Sequence, residues 1–110
     1  MSELKAVFQE IDAALNEDPS RAKGVEAVYQ FYLDGEAYQL VLKGNEGYAT
    51  VGEDEDPDCT LKMSQEDFIK MVEGNLNGTQ AFMSGRLKIK GNMGLALKLQ
   101  DILATYRQSA

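Results

Sequence analysis

Gly85-Arg86-Leu87-Lys88-Ile89-Lys90-Gly91-Asn92-Met93-Gly94-Leu95-Ala96-Leu97-Lys98-Leu99-Gln100 changes its hydrophobic period part-way through. From Arg86 to Lys90 charged and apolar residues alternate. That pattern predicts a strand with Leu87 and Ile89 on one face and Arg86, Lys88 and Lys90 on the other. Beyond Gly91, Asn92 is a suitable N-cap, and apolar positions recur at helical spacing to about Arg107. At about 100° per residue, Leu95, Leu99, Ile102, Leu103 and Tyr106 share one broad face of this helix. Met93, Leu97 and Ala104 cluster on nearly the opposite side. A helix lying flat on one sheet needs only the first stripe. The second needs another helix, a second subunit or an apolar ligand.

Working back from this stretch, Asp58–Met63 alternates as a strand with Cys59, Leu61 and Met63 on one face. Ser64-Gln65-Glu66-Asp67 caps a helix that carries Phe68, Ile69, Met71 and Val72 and ends near Gly74. Asn77-Gly78-Thr79 opens a brief helix through Gln80–Ser84. Residues 26–51 read as a meander of antiparallel strands. Ala27–Leu33 ends at the hairpin signal Asp34-Gly35, Tyr38, Leu40 and Leu42 alternate on one face, and a turn at 43–47 precedes Tyr48–Val51. Leu4, Val7, Phe8, Ile11, Ala14 and Leu15 form the stripe of an opening helix with Ser2 as a plausible cap. Asp18, Pro19 and Gly24 bracket a short second helix. No repeat, linker or low-complexity block interrupts residues 1–110, so the reading is a single α/β domain.

Composition limits the chemistry. The chain of 110 residues has 44% hydrophobic and 26% charged residues, enough for one core without disulfides or metals. With no His there is no Ser-His-Asp or Cys-His catalysis within the chain. Cys59 is the single cysteine, so no disulfide or multi-Cys zinc site forms inside it. Eleven Lys+Arg against 18 Asp+Glu give a net charge of −7, which opposes nucleic acid and anionic membranes unless a local basic patch overcomes it. No apolar run approaches the ~20 residues of a membrane span, and neither terminus carries a sorting signal, so cytoplasm is the expected location. The glycines form neither a dinucleotide fingerprint nor a phosphate loop.

Several features have a bland and a sharp reading. Glu53–Asp58 holds five carboxylates in six positions but lacks the order of a calcium loop, which favours a solvated acidic loop. Gly91-Asn92-Met93-Gly94 has the form of an RNA-clamping loop, yet it sits in an acidic chain and reads better as a strand-to-helix turn. Arg86, Lys88 and Lys90 suit the guarded outer face of an edge strand, or less readily a contact with an anionic head group. Met63, Phe68, Met71, Phe82, Met83 and Met93 concentrate adaptable apolar side chains in one part of the chain. They suit an irregular core, and equally a promiscuous lipid pocket. No cofactor and no metal is expected.

The C-terminal half resembles the sterol carrier protein 2 sterol-binding domain. The matching residues are Asp58-Cys59-Thr60-Leu61-Lys62-Met63, Asp67-Phe68, Gly74, Asn77, Ala81-Phe82 and, most specifically, the stretch Gly85–Gln100. Before Asp58 the similarity is one of element order. The resemblance implies an α+β fold with a five-stranded, mainly antiparallel sheet covered by about five helices and an apolar tunnel between the two layers. It implies a lipid-binding or transfer protein, not an enzyme, that holds fatty acid, fatty acyl-CoA, sterol or a similar chain. An accessory module presenting a hydrophobic intermediate, such as a quinone precursor, to partner enzymes is the alternative. Carried over by position, the expected lining is Phe68, Met71, Val72, Phe82, Leu87, Ile89, Met93, Leu97 and Leu99. The implied partners are a lipid and enzymes of lipid metabolism, with no nucleic acid and no stable membrane insertion. Gly78 stands where many members have a proline after the Asn, which predicts a looser turn.

Overall fold

Period-two alternation fills the inner face of the sheet with Tyr29, Phe31 and Leu33, Tyr38, Leu40 and Leu42, and Cys59, Leu61 and Met63, all buried. A computed structural model describes residues 3–18, 25–43, 46–53 and 55–107. Along them run α1 (Glu3–Glu17), β1 (Ala27–Leu33), β2 (Glu36–Lys43), β3 (Glu46–Val51), β4 (Cys59–Met63), α2 (Gln65–Glu73), α3 (Gly78–Met83), β5 (Lys88–Gly91) and α4 (Met93–Arg107). The five strands form one sheet in the order β3-β2-β1-β4-β5. Only the β1–β4 pairing is parallel. This is the α+β architecture expected, with four helices among the described residues. The short helix expected after Asp18, and part of the turn at 43–47, lie outside the described residues.

The meander forms where turn chemistry and hydrophobic alternation agree. Asp34 and Gly35 both adopt positive φ, at 53° and 88°, as a tight two-residue hairpin requires. α1 buries Leu4, Phe8, Ile11 and Leu15, spaced four and three apart. It crosses close to β3, where a Cβ on Gly47 would stand 3.3 Å from Leu15 and from Leu42. Asp12 Oδ1 accepts the Ala49 N–H at 3.0 Å, tying α1 to this edge strand.

The connection from β3 to β4 runs over the outer face of the sheet. Gln30 and Gln39, both fully buried, bond to each other at 2.7 Å and to the backbone of Gly52 and Glu55. The acidic loop is therefore more than a solvated connection. Its described carboxylate residues keep contact with solvent, while its backbone satisfies two buried amides.

β5 begins two residues later than alternation predicts. The N–H groups of Arg86 and Leu87 both donate to the Ala81 carbonyl, at 2.9 and 3.1 Å, so the end of α3 holds them out of the ladder. Gly91, at φ 101°, must be glycine because a Cβ there would lie 2.7 Å from the Asp58 carbonyl oxygen.

Candidate functional site

Two kinds of packing divide the space between sheet and helices. Towards α1 it is filled with rings. Phe8 stacks on Tyr38 and Phe68 at centroid distances of 4.4 and 5.1 Å, and Phe31 meets Phe8 and Phe68 edge-on. Towards β5 the aromatic filling stops and a cavity of about 60 Å³ opens between α3, α4 and the β4–β5 edge. Leu61, Leu87 and Ile89 form its floor, Met71, Gly78, Thr79 and Phe82 one wall, and Met93, Ala96, Leu97, Leu99 and Gln100 the other.

Each wall has a local cause. Leu61 and Ile89 are register partners and so point to the same inner face, whereas Lys62 and Lys88, also partners, point to the outer one. On α2, Ser64 accepts the Asp67 N–H as N-cap and Gly74, at φ 87°, closes the helix, which sets the rotation that brings Met71 inward. On α3, Asn77 Oδ1 accepts the N–H groups of Thr79 and Gln80. On α4, Asn92 Oδ1 accepts the Leu95 N–H at 3.2 Å, and the buried Tyr29 hydroxyl donates to the Leu95 carbonyl at 2.7 Å. Burial pushes the Tyr29 phenol well up, so it remains a donor at neutral pH.

Four of the five α4 residues that line the cavity, Met93, Ala96, Leu97 and Gln100, form a stripe at i, i+3, i+4 and i+7. The core stripe of the same helix, Leu99, Ile102 and Leu103, is fully buried. Leu99 reaches both. Leu97 remains 64% exposed and Met93 and Phe82 are exposed too, so the cavity opens to solvent between α3 and α4. One polar tie closes its far end, where the Gly78 N–H donates to Gln100 Oε1 at 2.9 Å. That bond answers the expectation of a looser turn: proline has no N–H to give, and glycine here fastens α3 to α4.

Of the nine residues expected at the site, Met71, Phe82, Leu87, Ile89, Met93, Leu97 and Leu99 meet at this cavity. Phe68 lies in the ring cluster and Val72 is half-buried on α2, away from the lining. Sequence reasoning passed over Leu61, Gly78, Thr79, Ala96 and Gln100. Leu61 was readable from the alternation of β4. Ala96 and Gln100 were hidden because a small residue and an amide do not register as an apolar stripe.

The charged groups stand outside the cavity. Arg86, expected beside Lys88 and Lys90 on the outer face, instead turns to α2. Its Nε donates to Asp67 Oδ2 at 3.1 Å and Nη2 pairs with Oδ1. These hydrogen bonds hold the Asp67 carboxyl below its ordinary value against the opposing effect of burial. Burial pushes the Cys59 thiol up to about 11, with Asp58 adding to it, so this cysteine is a packed apolar group and not a nucleophile. No cluster of three or more metal-ligating side chains occurs among the described residues. Nor is any helix there long and apolar enough to cross a membrane.

The sequence profile of the SCP-2 sterol transfer family matches residues 8–104. The chain belongs to this family. Among solved structures, sterol carrier protein 2 of Yarrowia lipolytica in its apo form superposes with a TM-score of 0.79 at 31% identity, over 92% of this chain and 89% of that one. The sterol carrier protein domain 2 of Helicoverpa armigera gives 0.76 at 30% identity, over 94% and 87%. A further similar protein is hydroxysteroid dehydrogenase-like protein 2 of Xenopus laevis, 44% identical over 106 residues. That match takes in 93% of this chain and 25% of the relative, so the chain spans about a quarter of the length of such relatives. The chain thus has the fold of the sterol carrier structures it superposes on.

Proposed function

We propose that this sterol carrier domain binds, and passes on, a lipid with a long apolar chain whose end enters the cavity between α3, α4 and the β4–β5 edge. The observation that carries this reading is the cavity's lining, apolar but for Thr79 and the Gly78–Gln100 tie and open to water beside Phe82, Met93 and Leu97. Each methylene that leaves water there contributes about 0.8 kcal/mol before the costs of association and ordering. At about 60 Å³ the space is well below the roughly 300 Å³ of a ligand pocket, so a long chain must displace α3 from α4 as it enters. Met71 and Met93 suit such adjustment because unbranched thioethers repack at low cost.

The site binds and does not catalyse. It brings no nucleophile next to a base, and the sequence has no histidine to act as one. Native mass spectrometry of the purified chain tests the reading through co-purified lipid, and fatty acid, fatty acyl-CoA, isoprenoid and sterol are then offered in turn. Retention of one class at stoichiometric level supports the cavity as its site. Failure of all four classes to bind removes it.

A second reading is favoured by the share of its relatives that the chain spans. A domain matching a quarter of longer proteins suits an accessory module that hands an apolar molecule to an enzyme of lipid metabolism. Pull-down of such an enzyme, made stronger by bound lipid, would distinguish hand-over from free carriage.

A further inference from the structure

In a chain of net charge −7, three basic residues meet at one end of the sheet, on its outer side. There an open cleft of about 260 Å³ lies between the β1–β2 hairpin and the connection from α3 to β5. Tyr32, Lys62, Lys88 and Arg86 line it, with the turn residues Asp34 and Gly85 at its rim. The sheet separates this cleft from the lipid cavity, because β5 alternates: Ile89 faces the cavity and Lys88 faces the cleft.

Strand register brings the cations together. Tyr32 pairs with Lys62 across β1–β4, and Lys62 with Lys88 across β4–β5, so the three side chains stand in one row. Both lysines are exposed, and neither has an ion-pair partner among the described residues. Like charges directly opposite each other destabilise a ladder unless an anion lies between them. The carboxylates around the cleft are engaged elsewhere. Asp34 Oδ2 accepts the Gln65 N–H at 2.9 Å, and Glu53 accepts the Tyr32 hydroxyl. Asp67 occupies Nε and Nη2 of Arg86, which leaves Nη1 as a donor to a further anion. A Cβ on Gly85 would meet no atom within 4 Å, so the rim beside Arg86 is open.

We propose that this cleft binds a phosphate group, as free phosphate or as a soluble phosphate monoester. With about two negative charges near neutral pH, such a group matches two unpartnered lysines, and the guanidinium adds a directional donor. A single carboxylate would relieve only one of the lysines. The site is independent of the lipid, since the sheet stands between the two.

Amide spectra of the isotopically labelled full chain test it, with the protein first lipid-stripped and then loaded with fatty acid. Each form is titrated with sodium phosphate and with glycerol 3-phosphate, against sodium chloride at matched ionic strength. Saturable shifts at Lys62, Gly85 and Lys88, alike in both forms, are expected. Lys62→Gln/Lys88→Gln should weaken the binding about tenfold, and its melting temperature should gain less from phosphate than the parent's. Lys90→Gln, on the same outer face but outside the cleft, should bind phosphate as the parent does. No saturable response, the same shifts in chloride, or equal weakening by Lys90→Gln overturns the proposal, the last two by reducing it to diffuse charge. Loss of the shifts on loading with fatty acid, or a response to fatty acyl-CoA alone, does so too, because the site would then belong to the cargo.

Discussion

Leu97 and Leu99 lie two residues apart on α4 in different surroundings and should respond unequally to truncation. Leu99 is fully buried among sheet and helix, so Leu99→Ala should cost about 2–5 kcal/mol in chemical denaturation. Leu97 is 64% exposed at the cavity mouth, and Leu97→Ala should remain within about 1 kcal/mol of the parent. Leu97→Phe should leave the empty fold intact and weaken lipid binding by filling the mouth. Equal destabilisation by the two alanines, with lipid affinity unmoved by the phenylalanine, would make this stripe ordinary core. Asp67 offers a test by pH. Its carboxyl is held below the ordinary value by the hydrogen bonds from Arg86, so the pair stabilises the fold above about pH 4 and is lost as pH falls through the depressed value. Melting curves of the parent and Asp67→Asn should therefore differ most near neutrality and converge in acid. A constant gap from pH 7 to pH 3 would assign the effect to shape and not to charge.

At the scale of elements, the bond from Gly78 to Gln100 decides how firmly α3 closes on α4. Gly78→Pro places a proline at the first helical position, where the backbone tolerates it, but removes the donor. Lost hydrogen bonding of about 1 kcal/mol and the stiffer unfolded chain should nearly cancel in stability. Amide exchange in α3 and release of bound lipid should both become faster, and unchanged release would show that α3 is not the moving part. Much of this architecture was legible beforehand, because alternation, capping residues and turn glycines act locally and agree with one another. The β5 boundary was not, since Ala81 draws the Arg86 and Leu87 N–H groups out of a strand that alternation alone would extend. The acidic loop was half legible. Its charges read as solvated, but the buried Gln30–Gln39 pair that holds its backbone is a tertiary event with no local signature. At the cavity, the apolar members of the lining follow from face and period. Phe68 shows the limit, because ring stacking with Phe8 draws it into the core while Met71, three residues on, reaches the space beyond.

In the whole molecule, the cavity and the Lys88 and Lys90 side chains lie on opposite sides of β5. Lys88→Gln/Lys90→Gln should change fatty acyl-CoA affinity less than about thirtyfold, since exposed ion pairs are worth about 0–1 kcal/mol each. A hundredfold loss in equilibrium titration would place the head-group site on this outer face. On the proposed function, the half of the fold not packed by aromatic rings is kept for a lipid chain. Titration of the lipid-stripped protein with a fluorescent long-chain fatty acid tests it most directly, with Leu97→Phe as the companion. Saturation at about one or two equivalents, with weaker binding in the variant, is the predicted result. No saturable binding by acyl, isoprenoid or sterol probes, in a protein that retains its fold, would contradict it.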